Sequence, residues 1–318
     1  INRKNQDLFE EEAIAFYNSF PLRKLGIADL MRYIIHTLSI SDFVMVATPS
    51  SAHRDVARQL APFVHRDMII VLNPGRTFGA IDFANELKRC GVNDMPYIAE
   101  TQTIVYTYRR SKENNATIFA LKDDVKIAAL NPKDIDFILS KMPECLRPYF
   151  SPEKSVGYTS FSNVGMVLHC SPVMMNIGWI ESDKVDFKYY YDGISQSVAD
   201  FLQKVDDERI SVARAAGFNI ESVADWLKRT YKISGNSLYE CIRNNTSYKE
   251  IDAPPTIYCR YTLEDIPNGL VPIEFLGKEL NVPTPNITTI INLASSVLNH
   301  DFRCEGRKIS KNELKKYL

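Results

Sequence analysis

One phrase, used twice, constrains what this chain can fold into. "DFVMVATPSSAHRDVARQLAPF" sets a short apolar run (Phe43–Ala47) before a Thr-Pro turn and a helix-like stretch ending near Leu60. "MIIVLNPGRTFGAIDFANELKRCG" repeats it with an apolar run, a Pro-Gly turn and a helix that stops at Gly91. Parallel strands need a long crossover, so strand–turn–helix–strand at this spacing predicts a parallel sheet covered by helices. "PYIAET" and "TIVYTYRR" follow as strands, and "ATIFALK" with "DVKIAAL" alternates enough to predict an antiparallel hairpin at the sheet edge. Ser50 or Ser51 is the expected N-cap of the first helix.

Beyond about Pro152 the pattern turns helical. "GISQSVADFLQKVDDERISVARAAG" carries Ile194, Val198, Phe201, Val205, Ile210 and Val212 close to a 3.6-residue period and ends at Gly217. "IESVADWLKRTY", "SLYECIRNN" (capped by Asn236) and "PNITTIINLASSVLNHDF" (opened by Pro285-Asn286) read as further helices. The expected fold is a partial Rossmann-type α/β domain, residues 1–152, followed by an all-α domain, 153–318.

The 318-residue length suits two domains. Lys and Arg number 38 against 39 Asp and Glu, so no basic excess points to nucleic acid or an anionic membrane. The longest apolar runs, such as Met68–Leu72, fall far short of a membrane-spanning helix. Six scattered cysteines show no metal-site spacing, which predicts reduced thiols, no metal and a cytoplasmic location. The opening "INRKNQDLFEEE" is too charged for a signal peptide and lacks an initiator Met, so the chain is expected to be incomplete at that end.

An open parallel sheet binds ligands beyond the carboxyl ends of its strands. Thr48 and Pro49 in one turn, and Asn73, Pro74 and Gly75 in the other, occupy that place, each ahead of a helix N-terminus that favours an anion. Plain tight βα loops would use the same residues, and the residues alone leave both readings open. In the second half, His169 ends an apolar run in "SFSNVGMVLHCSPVMMNIG", with a helix expected from about Pro172. His36, His53, His65 and His300 sit among polar residues and read as surface groups. In "CRYTLEDIPNGLVP", Arg260, Glu264 and Asp265 lie between two strand-like runs, Thr256–Cys259 and Leu270–Ile273, with Pro267-Asn268-Gly269 as a turn. Glu264 has no assigned role and reads as a solvent-side or structural neighbour. A satisfied core histidine and a catalytic one both remain open for His169. Contact with Asp265 would favour catalysis, because a carboxylate fixes the imidazole tautomer.

The chain resembles the octopine/nopaline (opine) dehydrogenase family over nearly its whole length. "ATPSSAH", "VLNPGRTFGA", "IAETQT", "SNVGMVLHCSPVMMNIGWIE", "SGNSLYECIRNN", "CRYTLEDIPNGLVPIEFLG" and "VPTPNITTIINLASSVLNHDFRCEGR" carry the likeness in order. The resemblance implies reductive joining of an amino acid and a 2-oxo acid with NAD or NADP. It places the catalytic pair on His169 and Asp265 and the substrate-carboxylate arginine on Arg260. It also puts Glu100, Thr101 and Asn163 near substrate, with a homodimer left open. No Gly-x-Gly-x-x-Gly occurs and no glycine precedes Gly26, so the chain alone is expected to bind NAD(P)H weakly or not at all and to show little turnover. If a strand, loop and helix precede it, Arg3 would stand at the adenosine ribose. A ketopantoate- or glycerol-phosphate-type dehydrogenase and a non-catalytic relic are the alternatives.

Overall fold

The computed structural model describes residues 41–110, 116–122, 124–182 and 186–317. Three short parallel strands lead: β1 (Phe43–Val46), β2 (Ile69–Leu72) and β3 (Tyr97–Thr101). Helices α1 (His53–Leu60) and α2 (Gly79–Arg89) make the crossovers between them. All four residues of β2 are buried, and alternation sends them to opposite faces. Ile70 and Leu72 join the core shared with the helical half, whereas Ile69 and Val71 pack with Ile127, Ile138 and Met142.

The predicted hairpin of "ATIFALK" with "DVKIAAL" does not form; the first of these strands pairs with the one before it instead. β4 (Tyr106–Arg110) and β5 (Ala116–Leu121) pair as a separate two-stranded antiparallel ribbon. β6 (Val125–Ala129) instead runs antiparallel to β3, and β7 (Phe150–Pro152) closes the order β1-β2-β3-β6-β7. Four of the five β6 residues are buried, which suits an interior strand rather than one arm of an edge hairpin. Helix α3 (Ile135–Lys141) lies between β6 and β7 in sequence.

The helical half contains α4 (Val156–Phe161), α5 (Gly165–Met175), α6 (Gln196–Ala215), α7 (Val223–Tyr231), α8 (Leu238–Asn244), α9 (Val271–Glu279) and α10 (Pro285–Leu298). Gly217, with φ of 95°, ends the segment after α6 in the left-handed region that glycine accepts without strain. Ser237 rather than Asn236 caps α8, its hydroxyl accepting from the Glu240 N–H. Helix α5 begins at Gly165, ahead of the expected start, and runs through Pro172, held by near-complete burial. His169 is therefore mid-helix. The two expected strands around Asp265 are absent: a short helical turn (Arg260–Leu263) leads into a buried π-helical turn (Ile266–Leu270) and then α9. Among the described residues, no helix is long and apolar enough to cross a membrane.

Candidate active site

A cavity of about 320 Å³ opens where the β4–β5 ribbon meets the helical half. Gln102, Thr103, Ile104, Tyr106 and Lys122 line one side in sequence, and His169, Tyr190, Trp226, Tyr248 and Tyr261 are among those lining the other. His169 Nδ1 stands 2.7 Å from Asp265 Oδ2. A carboxylate at Nδ1 favours the tautomer with its hydrogen on that nitrogen. Nε2 meets the Tyr190 hydroxyl at 3.2 Å, and Tyr261 stacks on the ring at 4.1 Å between centroids. The Tyr189 hydroxyl donates to the His169 carbonyl at 2.6 Å. The imidazole is thus held through its ring face, both nitrogens and its own backbone.

Behind the pair lies a charged cluster. The Arg76 guanidinium is 3.3 Å from Glu264 and 3.6 Å from Asp265, and it donates to Asn163 Oδ1 at 3.4 Å. Glu264 is not on the solvent side; it is 2 % exposed. Besides Arg76 it accepts from Arg260 at 2.6 Å and from the Ser50 N–H and hydroxyl at 3.1 and 3.2 Å. Burial alone would push its carboxyl up, but Arg76, Arg260 and the Ser50 N–H hold it down at about 2. Ser50 is consequently no side-chain cap of α1: it opens a 3-10 turn and spends its donors on Glu264. Arg76, in "NPGRTFG", is the residue that sequence reasoning missed. An arginine in a βα turn aimed at the ligand side was its one available signal.

Of the residues expected at substrate, Arg260 and Asn163 line the cavity with His169 and Asp265. Glu100 and Thr101 do not. Glu100 is wholly buried and accepts from Thr159, Ser160 and the Ala80 N–H at 2.8, 2.6 and 2.8 Å, so it ties the sheet to the helical half. The Thr101 hydroxyl turns inward to Asn73 Oδ1 at 2.9 Å. His53, expected at the surface, is fully buried, 3.2 Å from Arg307, and burial and that arginine push it down to about 3. His65 and His300 are half-buried. Arg3, His36 and the expectation about the first glycine turn lie outside the described residues.

Thr48, Pro49, Asn73, Pro74 and Gly75 follow the carboxyl ends of β1 and β2, as expected, with Asn73-Pro74 in the cis form. The Thr48 hydroxyl is buried and has no hydrogen-bond partner among the described residues. An orphaned donor at this end of a parallel sheet suits a ligand rich in acceptors.

Residues 152–298 match the family model described as NAD/NADP octopine/nopaline dehydrogenase, alpha-helical domain. An opine dehydrogenase of Arthrobacter sp. (strain 1C) is 35% identical over 271 residues, spanning 85% of this chain and 75% of that protein. The chain belongs to the octopine/nopaline (opine) dehydrogenase family. A tauropine dehydrogenase of Arabella iricolor is 25% identical over 305 residues, covering 86% of this chain and 75% of its own. An octopine dehydrogenase structure with NADH and L-arginine shares the fold at a TM-score of 0.64 and 20% identity, over 81% of this chain and 70% of that one. The chain is accordingly an NAD(P)-dependent oxidoreductase of Rossmann-like sheet followed by helices. NAD or NADP fits the residues present, with Thr48, Pro49 and Asn73–Gly75 at the strand ends and the orphaned Thr48 hydroxyl among them.

Proposed function

We propose that the chain reductively condenses the amine of an amino acid with a 2-oxo acid, giving an N-(carboxyalkyl) amino acid. The observation that carries this reading is the His169–Asp265 pair facing a cavity also lined by Arg76, Arg260 and Lys122. An amino acid arrives as an ammonium and must lose a proton before its nitrogen attacks the keto carbon. The adduct then needs a proton on the departing oxygen to become an imine. His169 Nε2 performs both transfers, while Asp265 fixes the tautomer and stabilises the imidazolium. Arg260, whose Nε and one terminal nitrogen already meet Glu264, presents the other edge of its guanidinium to the 2-oxo acid carboxylate. NAD(P)H, when bound, supplies the hydride to the C=N carbon.

Trp226, Tyr231, Tyr248 and Ile251 also line the cavity, and Asp265 is the carboxylate among its described lining residues. That lining favours an amino acid with an uncharged, apolar side chain. The test is NAD(P)H oxidation with pyruvate in the presence and absence of each amino acid. Oxidation that requires both substrates, faster with apolar amino acids than with arginine or lysine, is expected. Equal oxidation with the 2-oxo acid alone would instead make the protein a simple 2-oxo acid reductase.

A further inference from the structure

Lys122 follows β5 and turns back under the ribbon, 5 % exposed. Its ammonium donates to the Ile104 carbonyl at 2.9 Å and to the Thr103 hydroxyl at 3.4 Å, both neutral groups. Among the described residues no carboxylate pairs with it. A buried lysine is ordinarily paired. Lys122 also lines the cavity that holds His169. The other two cations there each face a protein carboxylate, Arg76 meeting Glu264 and Asp265 and Arg260 meeting Glu264. An N-(carboxyalkyl) amino acid carries two carboxylates, one from each substrate, and Arg260 is assigned to only one.

We propose that Lys122 receives the carboxylate of the amino-acid substrate and so orients its amine toward His169. This rests on the condensation reading above. Burial and the nearby Arg76 pull the ammonium down to about 7, so an incoming carboxylate favours the charged form and binding takes up a proton near neutral pH. The same depression makes Lys122 a liability to folding. Its folded value lies below the unfolded 10.5, so the cost is largest below pH 7 and fades as pH rises toward 10.5. A lysine stabilised by an ion pair within the fold would show the opposite shift.

The test compares wild-type protein with Lys122→Met and Lys122→Arg. For Lys122→Met the KM of the amino acid should rise by about tenfold or more, the loss of one charge-assisted contact. The KM of pyruvate and the Kd of NAD(P)H should stay unchanged, and the preference for the amino acid over its decarboxylated amine should disappear. Lys122→Arg should restore most of the amino-acid affinity, and Lys122→Met should melt at the same or a higher temperature than wild type. Unchanged kinetics, a matching rise for pyruvate, or weakened cofactor binding would overturn the proposal. Calorimetric titration of the N-(carboxyalkyl) amino acid decides the point without turnover. Binding that is lost in Lys122→Met, with proton uptake at pH 8 in wild type only, supports Lys122 even if the condensation reading itself fails for lack of amine-dependent oxidation. Equal binding to both proteins sinks it.

Discussion

At the residue scale the proposed site is an imidazole whose Nδ1 is committed to Asp265 and whose Nε2 meets the Tyr190 hydroxyl. Replacing His169 with Gln should lower kcat by about 10²–10⁴, the usual worth of general acid–base catalysis, with stability little changed. Asp265→Asn should also lower kcat, because an amide can accept or donate and no longer selects the tautomer; single-turnover hydride transfer would record it. Arg76 answers to a different readout. Removing it leaves Glu264 and Asp265 buried with one cation fewer, so Arg76→Met should destabilise by about 3 kcal/mol in denaturant melts, and Arg76→Lys by less. The His169–Asp265 pair was legible through its family resemblance, since both residues sit in distinctive segments. Arg76 and His53 were not, because each meets a partner far along the chain: Glu264, 188 residues away, for one, and Arg307, 254 away, for the other. Local polarity around a histidine says little about what will later pack on it.

At the element scale, α5 and the π-helical turn build the site together. The wider turn puts the Leu270 N–H on the Asp265 carbonyl at 3.2 Å. The Pro267 and Asn268 carbonyls accept instead from the Arg307 and Thr77 N–H groups. Such turns recur at functional sites. This one ties the segment around Asp265 to both the "NPGRTFG" turn and the loop at Arg307. Glycines set the approach: a Cβ on Gly269 would come 2.7 Å from that of Met166 in α5, and one on Gly165 would come 2.6 Å from the Arg76 guanidinium. Gly165→Ala therefore pushes on the tip of a flexible side chain. It should cost under about 1 kcal/mol of stability yet cut kcat/KM clearly, and paired melting and kinetic measurements separate the two. Pro267-Asn268-Gly269 by itself predicts a turn, and Pro172 a helix start, because those residues usually break helices. Here burial on all sides outweighed local propensity. The parallel strands and amphipathic helices were legible for the converse reason: their periodicity and their packing agree.

Across the whole molecule, buried polar groups pin the two halves to each other. Arg307 donates to the Gly75 and Thr77 carbonyls at 2.9 Å each, and Glu100 holds Thr159 and Ser160. Two of these groups make stability depend on acid. His53, at about 3 when folded against 6.5 unfolded, contributes stability that is complete above pH 6.5 and lost as pH falls toward 3. Glu264, at about 2 against 4.5, contributes above pH 4.5 and is lost toward pH 2. Thermal melts should thus begin to fall below pH 6.5, and His53→Gln, which keeps an acceptor for Arg307, should flatten the first part of that fall. The central claim is that both halves meet to reduce a C=N bond made from two substrates. The most direct measurement is the fate of deuterium carried from 4-deuterated NAD(P)H into products formed from pyruvate and an apolar amino acid, read by mass spectrometry. One deuterium on the pyruvate-derived carbon of an N-(1-carboxyethyl) amino acid is predicted; deuterium in lactate, with no such product, would contradict the account.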